Sequence, residues 1–151
     1  MIVGVHHFAL TVGDAERSIA FYGEGFGLEV AADRELRGGY VEEITGLEGL
    51  HARLVHLRGH GIMLELLQYT SPAGAARSRG FNDTGSAHIC FLTDDIDAEF
   101  ARLSAAGVPI RSAAPVTVAS GPNAGGRGIY AVDPDGNAVE IVQVPPRPAA
   151  S

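Results

Sequence analysis

Two histidines and two glutamates recur at matching places along this chain, and together they have the chemistry of a divalent metal centre. Setting His7 on His88 also sets Val12 on Thr93 and Asp14 on Asp95. Further on, Gly61-Ile62-Met63-Leu64-Glu65-Leu66-Leu67-Gln68 matches Gly136-Asn137-Ala138-Val139-Glu140-Ile141-Val142-Gln143, with Gly, Glu and Gln at the same offsets. Side chains alternate along a strand, so His7 shares a face with Ala9 and Thr11, and His88 with Cys90 and Leu92. By the same parity Glu65 lies with Met63 and Leu67, and Glu140 with Ala138 and Val142. A carboxylate among apolar neighbours is costly unless it is paired or bound to a metal. Either histidine alone, or either glutamate alone, would be read as a satisfied structural residue. The repetition of both types turns them into a His2Glu2 ligand set: His7, Glu65, His88 and Glu140.

The elements that must carry these residues are repeated too. Ile2 to Val12 and Ser86 to Thr93 read as strands, each leading into a helix, Asp14 to Phe26 and Asp95 to Ala106. Asp14 and Asp95 are suited to N-caps, and Ile19, Tyr22, Phe26 and Ile96, Phe100, Leu103 make one apolar face per helix. Gly27 and Gly107 stand where a left-handed C-terminal cap belongs, followed by the short pieces Leu28-Glu29-Val30 and Val108-Pro109-Ile110. Two more strands fit near 37–44 and 52–57, and again near 114–119 and 128–132. The expected fold is therefore α+β, two βαβββ modules forming a curved, incomplete β-barrel around the metal site. Residues 1–145 are expected as one domain, with module 1 over about 1–70 and module 2 over about 84–145. Thr70 to Gly85 is the expected linker, and 146–151 a flexible tail.

Composition narrows the function classes. Eighteen acidic against eleven basic residues give a net charge of −7, which disfavours phosphate backbones, so nucleic acid is not an expected partner. Cys90 is the sole cysteine, so no intrachain disulfide is possible. It shares the site face but has no paired base, and reads as a small hydrophobe rather than a nucleophile. The start lacks a signal-peptide pattern and no apolar run reaches membrane-spanning length, so a cytoplasmic protein without a membrane partner is expected. The glycine-rich run 121–128 does not follow a strand and open a helix, so it is a loop and not a dinucleotide fingerprint. Asp133-Pro134-Asp135-Gly136-Asn137 is a turn. His6, His51, His56 and His60 have no repeat partners; His6 has the wrong strand parity, and the other three are read as surface or structural.

These residues resemble the vicinal oxygen chelate superfamily, which includes glyoxalase I, methylmalonyl-CoA epimerase, extradiol dioxygenases, and fosfomycin and bleomycin resistance proteins. His7-Phe8-Ala9-Leu10-Thr11-Val12-Gly13-Asp14, with Ser18 and Phe21-Tyr22, resembles its first-strand signature. Tyr130-Ala131-Val132-Asp133-Pro134-Asp135-Gly136-Asn137 followed by Glu140 resembles its closing motif. The resemblance runs from about Val3 to Val144 and implies that His7, Glu65, His88 and Glu140 match the metal ligands of glyoxalase I type for type. Thr11 and Tyr69 replace an arginine and an asparagine of glyoxalase I, which argues against glutathione as cosubstrate. Extradiol dioxygenases place a tyrosine as Tyr130 is placed, but Ala73 and Gly121 stand where their further histidines belong. Bleomycin-binding members lack the metal ligands.

The expected activity is a lyase or isomerase of glyoxalase or epimerase type, acting on a small molecule with two adjacent oxygens. One divalent ion (Ni, Co, Mn, Fe or Zn) would stabilise an enediolate formed by proton removal beside a carbonyl. Glu65 or Glu140, leaving the metal, would be the base; Tyr130 could donate a hydrogen bond; Met63, Leu67, Cys90 and Val142 would line the pocket. The rival readings are an extradiol-type dioxygenase on a catechol-like substrate and a metal-independent small-molecule-binding, resistance-type protein. A homodimer is expected, because modules of this size leave sheet edges to cover.

Overall fold

A computed structural model describes residues 1–75 and 80–145. The chain divides into two compact units, Met1–Arg77 and Ser78–Ser151. The first contains β1 (Phe8–Thr11), α1 (Ala15–Phe26), β2 (Glu29–Arg37), α2 (Tyr40–Thr45), β3 (His51–Gly59) and β4 (Ile62–Ser71). The second contains β5 (His88–Leu92), α3 (Ile96–Ala105), β6 (Val116–Thr117), β7 (Arg127–Val132) and β8 (Ala138–Gln143). Each unit is a four-stranded mixed sheet with the same connectivity, β1-β4-β3-β2 and β5-β8-β7-β6. The first and last strands of each unit run parallel and the other neighbours antiparallel. The expected α+β architecture of two βαβββ modules is therefore present, with α2 added to the first. The expected tail, 146–151, and part of the expected linker, 76–79, lie outside the described residues.

Register explains how each sheet separates core from site. In β3–β4, Val55 opposes Leu66 and Leu57 opposes Leu64, and all four are fully buried. Directly opposed residues share a face, so these four form the apolar side that α1 covers with Ala15, Tyr22 and Phe26. Burying each leucine contributes roughly 1.5–3 kcal/mol. The intervening pairs, His56 with Glu65 and Leu54 with Leu67, necessarily take the other face. In β7–β8 the core pairs are Ile129 with Ile141 and Ala131 with Val139, packed with Ile96 and Leu103 of α3. There Tyr130 and Glu140 take the other face.

Caps and clamps hold helix to sheet. Asp14 accepts from the backbone N–H groups of Glu16 and Arg17 at 3.0 and 3.2 Å, and Asp95 from that of Ala98 at 2.9 Å. The repeated glutamines clamp these helix entries. Gln68 accepts from Ala15 N–H (3.0 Å) and donates to Gly13 C=O (3.2 Å). Gln143 accepts from Ile96 N–H (3.3 Å) and donates to Asp94 C=O (2.6 Å). Gly27 ends α1 in the left-handed region at φ 66°. In α3 the C-cap is Ala106, in right-handed geometry, and the left-handed residue is the next one, Gly107 at φ 74°.

Several boundaries differ from the sequence reading. β1 is four residues long, not the whole of 2–12. The strand expected near 37–44 is displaced: the piece beginning at Glu29 runs on to Arg37, and 40–45 is the short helix α2. Gly38 and Gly39, at φ 50° and 61°, break the strand. Val41 of α2 then buries with Leu50 and Ala52, against Leu36 and Tyr69, in a small satellite cluster. β6 is only two residues of the expected 114–119. No helix among the described residues is long and apolar enough to cross a membrane.

Candidate metal centre

The hairpin joining β3 to β4 sets the site of the first unit. His60 and Gly61 form its two-residue turn, at φ 50° and 76°, the signs a primed hairpin turn requires. That turn fixes His56 opposite Glu65. The parallel pairing of β1 with β4 adds Ala9 beside Glu65, and His7 lies just before β1 on the same side. His7 Nε2 is 3.6 Å from Glu65 Oε1, and His56 Nε2 is 2.7 Å from Glu65 Oε2. One donor atom from each of His7, His56 and Glu65 fits within a 4.8 Å cluster. Glu65 is only 8 % exposed, one of three buried polar or charged residues among those described. It is therefore the costliest of these groups to leave without partners.

The second unit builds the equivalent pair. His88 Nε2 is 3.2 Å from Glu140 Oε2. Glu140 is flanked by Cys90 of β5 on one side and Tyr130 of β7 on the other. Burial, the Glu140 charge and a hydrogen bond to it, in that order, push the Cys90 thiol up to about 11. Burial first and then Glu140 raise the Tyr130 phenol as well. Tyr130 also stacks edge-on to His88 and against Phe81, over whose ring Arg111 sits at 4.8 Å.

These donors suit a divalent cation. Ligands at about 2.0–2.2 Å from one ion are separated by roughly 3–3.5 Å, and the His7–Glu65 and His88–Glu140 gaps are 3.6 and 3.2 Å. His7 Nδ1 lies 2.9 Å from His6 Nδ1. With the proton of that contact on His7, its Nε2 is left as a free lone pair toward Glu65, the tautomer a metal ligand needs. Of the expected pocket residues, Met63 and Leu67 are half-buried beside Glu65, while Val142 is buried. Cys90 is exposed as a whole residue, contrary to the small buried hydrophobe expected, with only its sulfur partly covered; β5 is an edge strand, and Leu92 is exposed beside it.

Two histidines left out of the ligand set, His6 on parity and His56 as surface or structural, lie against its residues. His56 has a side chain 14 % exposed and bonded to Glu65, and His6 touches His7 and stacks edge-on to His56. Strand parity misplaced His6 because residues 1–7 are not in a strand, so alternation does not govern them. His56 was legible only through the hairpin register. It occupies, opposite Glu65, the place that Tyr130 occupies opposite Glu140. The structural reading holds for His51, which pairs with Glu35, and for His60, whose ring bonds to Phe26 C=O at 2.8 Å.

Comparison with known proteins supplies the family. A 2-epi-5-epi-valiolone epimerase from an Actinomyces species is 31 % identical over 148 residues, covering 95 % of this chain and 80 % of that protein. A glyoxalase family protein from Bacillus cereus superposes with TM-score 0.80 over 95 % of each chain, at 19 % identity. TnmS3, an antibiotic binding protein from Streptomyces sp. CB03234, has TM-score 0.60 at 27 % identity, covering 95 % of this chain and 98 % of that one. The family model of the Glyoxalase/Bleomycin resistance protein/Dioxygenase superfamily matches residues 4–141. The chain belongs to that superfamily.

Proposed function

We propose that this protein is a divalent-metal-dependent enzyme of glyoxalase or epimerase type, with His7, Glu65, His88 and Glu140 as ligands. The observation that carries the reading is the histidine–glutamate pair that each module presents at the same register position. Likeness to an epimerase along most of the chain supports it. The bound ion supplies Lewis acidity, stabilising negative charge that develops on a substrate oxygen. The chain's own residues do the rest. Glu65 or Glu140 takes a proton from the carbon beside a carbonyl and can return it, and Tyr130 donates a hydrogen bond to a substrate oxygen. Met63, Leu67, Cys90 and Val142 line the pocket. Residues 1–145 then work as one cytoplasmic catalytic domain, in a homodimer.

The preferred substrates are small ketones with a neighbouring hydroxyl, among them the 2-epi-5-epi-valiolone of the relative's name. Incubation in deuterium oxide with each candidate metal, over a panel of such ketones, hemithioacetals and acyl-CoA thioesters, tests the reading. Deuterium entering beside the carbonyl supports it. If none exchanges while the iron(II) form consumes oxygen with a catechol, an oxygenase replaces it.

Likeness to an antibiotic binding protein favours one other reading, sequestration of a small molecule. Tight binding of an aromatic drug by metal-free protein, with no exchange in any substrate, would establish that instead.

A further inference from the structure

We infer that His56 is a positioning residue for the metal centre, holding Glu65 so that one carboxylate oxygen is committed to His56 and the other is presented to the ion. The inference rests on the metal-dependent reading above and adds to it a residue outside the four ligands.

The geometry separates the two carboxylate oxygens. Oε2 lies 2.7 Å from His56 Nε2, a full hydrogen bond, whereas Oε1 faces His7 Nε2 at 3.6 Å, too far for one. An ionised carboxylate only accepts, so His56 donates through Nε2–H, and that nitrogen has no lone pair for a metal. His56 cannot easily turn away. Its side chain is 14 % exposed, the hairpin turn fixes it opposite Glu65, and its strand neighbours Val55 and Leu57 are fully buried on the other face. The second unit puts Tyr130 at this place opposite Glu140. The repeat thus keeps a ring donor across from each glutamate while changing its chemistry.

An oriented carboxylate loses less freedom on binding an ion, and removing such a supporting partner typically costs 10–100-fold in metal affinity. The experiment is cobalt(II) titration of the full chain, reading both affinity and the visible d–d absorption. His56→Ala is expected to weaken cobalt(II) binding about 10–100-fold while leaving the band positions of the saturated protein unchanged. His56→Gln, whose amide can still donate, is expected to recover most of the loss. His51→Ala removes a histidine of the same strand that pairs with Glu35 and is expected to bind as the unaltered chain does. Unchanged affinity in His56→Ala overturns the inference and leaves the proposed function standing. Altered bands in saturated His56→Ala also overturn it, because His56 would then be a ligand. Equal loss in His51→Ala overturns it as well, reducing the effect to strand stability. If the unaltered chain binds no cobalt(II) or other divalent ion, the metal-dependent reading itself falls and this inference falls with it.

Discussion

Gln68 and Gln143 make the same pair of hydrogen bonds in the two modules, each bridging the last strand to the entry of the helix. Gln68 spans Gly13 and Ala15, and Gln143 spans Asp94 and Ile96, the corresponding residues of the repeat. The glutamine that recurs three residues after each glutamate is thus a fastening of the fold. The glutamate is the residue to which the proposed function gives the chemistry.

Replacing either glutamine with alanine removes two hydrogen bonds to backbone groups at a helix start. Gln68→Ala and Gln143→Ala are each expected to lower stability by about 1–3 kcal/mol, read by urea denaturation. Metal affinity is expected to change little, because neither side chain touches a ligand. No loss of stability in either variant would show that water replaces the clamp.

Purified protein is expected to carry close to one divalent ion per four-residue ligand set, with His7→Ala and Glu140→Gln losing most of it. Elemental analysis of the three proteins side by side decides the point. Equal metal in all three would remove the ligand assignment.

Glu65→Gln keeps the shape and an acceptor oxygen but has no negative charge with which to take a proton. If Glu65 is the base, turnover should fall by about 100-fold or more, with a much smaller change in substrate binding. A KM increase with kcat preserved would assign Glu65 to binding alone.

The Cys90 thiol, pushed up to about 11 by burial and by the Glu140 carboxylate, is expected to stay protonated at neutral pH. Only the thiolate reacts, so alkylation of metal-free protein by iodoacetamide should be slow at pH 8 and should rise only as the pH approaches 11. Glu140→Gln removes the repelling charge, lowers the thiol's pKa and should speed the reaction at pH 8. Fast alkylation of the unaltered chain at pH 8 would contradict this.

Exposed apolar side chains at the start of the chain, Ile2, Val3 and Val5, each more than 90 % accessible, favour a covered surface in solution. Light scattering is expected to give a dimer, twice the 15.7 kDa chain mass. A mass of one chain would end the homodimer reading.

Sequence alone determined the duplication, the helix caps at Asp14 and Asp95, the core faces and the four residues of the proposed ligand set. Each depends on a local period or on identical residues at identical offsets, and alternation along a strand or the 3.6-residue turn of a helix can be read without knowing what lies across from it. What only the tertiary structure decided is which residue faces which. His56 has no counterpart of its own type in the second module, so repetition could not mark it; the His60–Gly61 turn carried it to Glu65. His6 reached His7 through a stretch that is not a strand, where parity has no force. The glycine pair Gly38-Gly39 interrupts the expected strand, and the α2 that follows buries Val41 against Leu50 and Ala52, residues beyond its own helix. Partners across a sheet are set by turn geometry and register, and these depend on pairing between strands, which the pattern within any one strand does not contain.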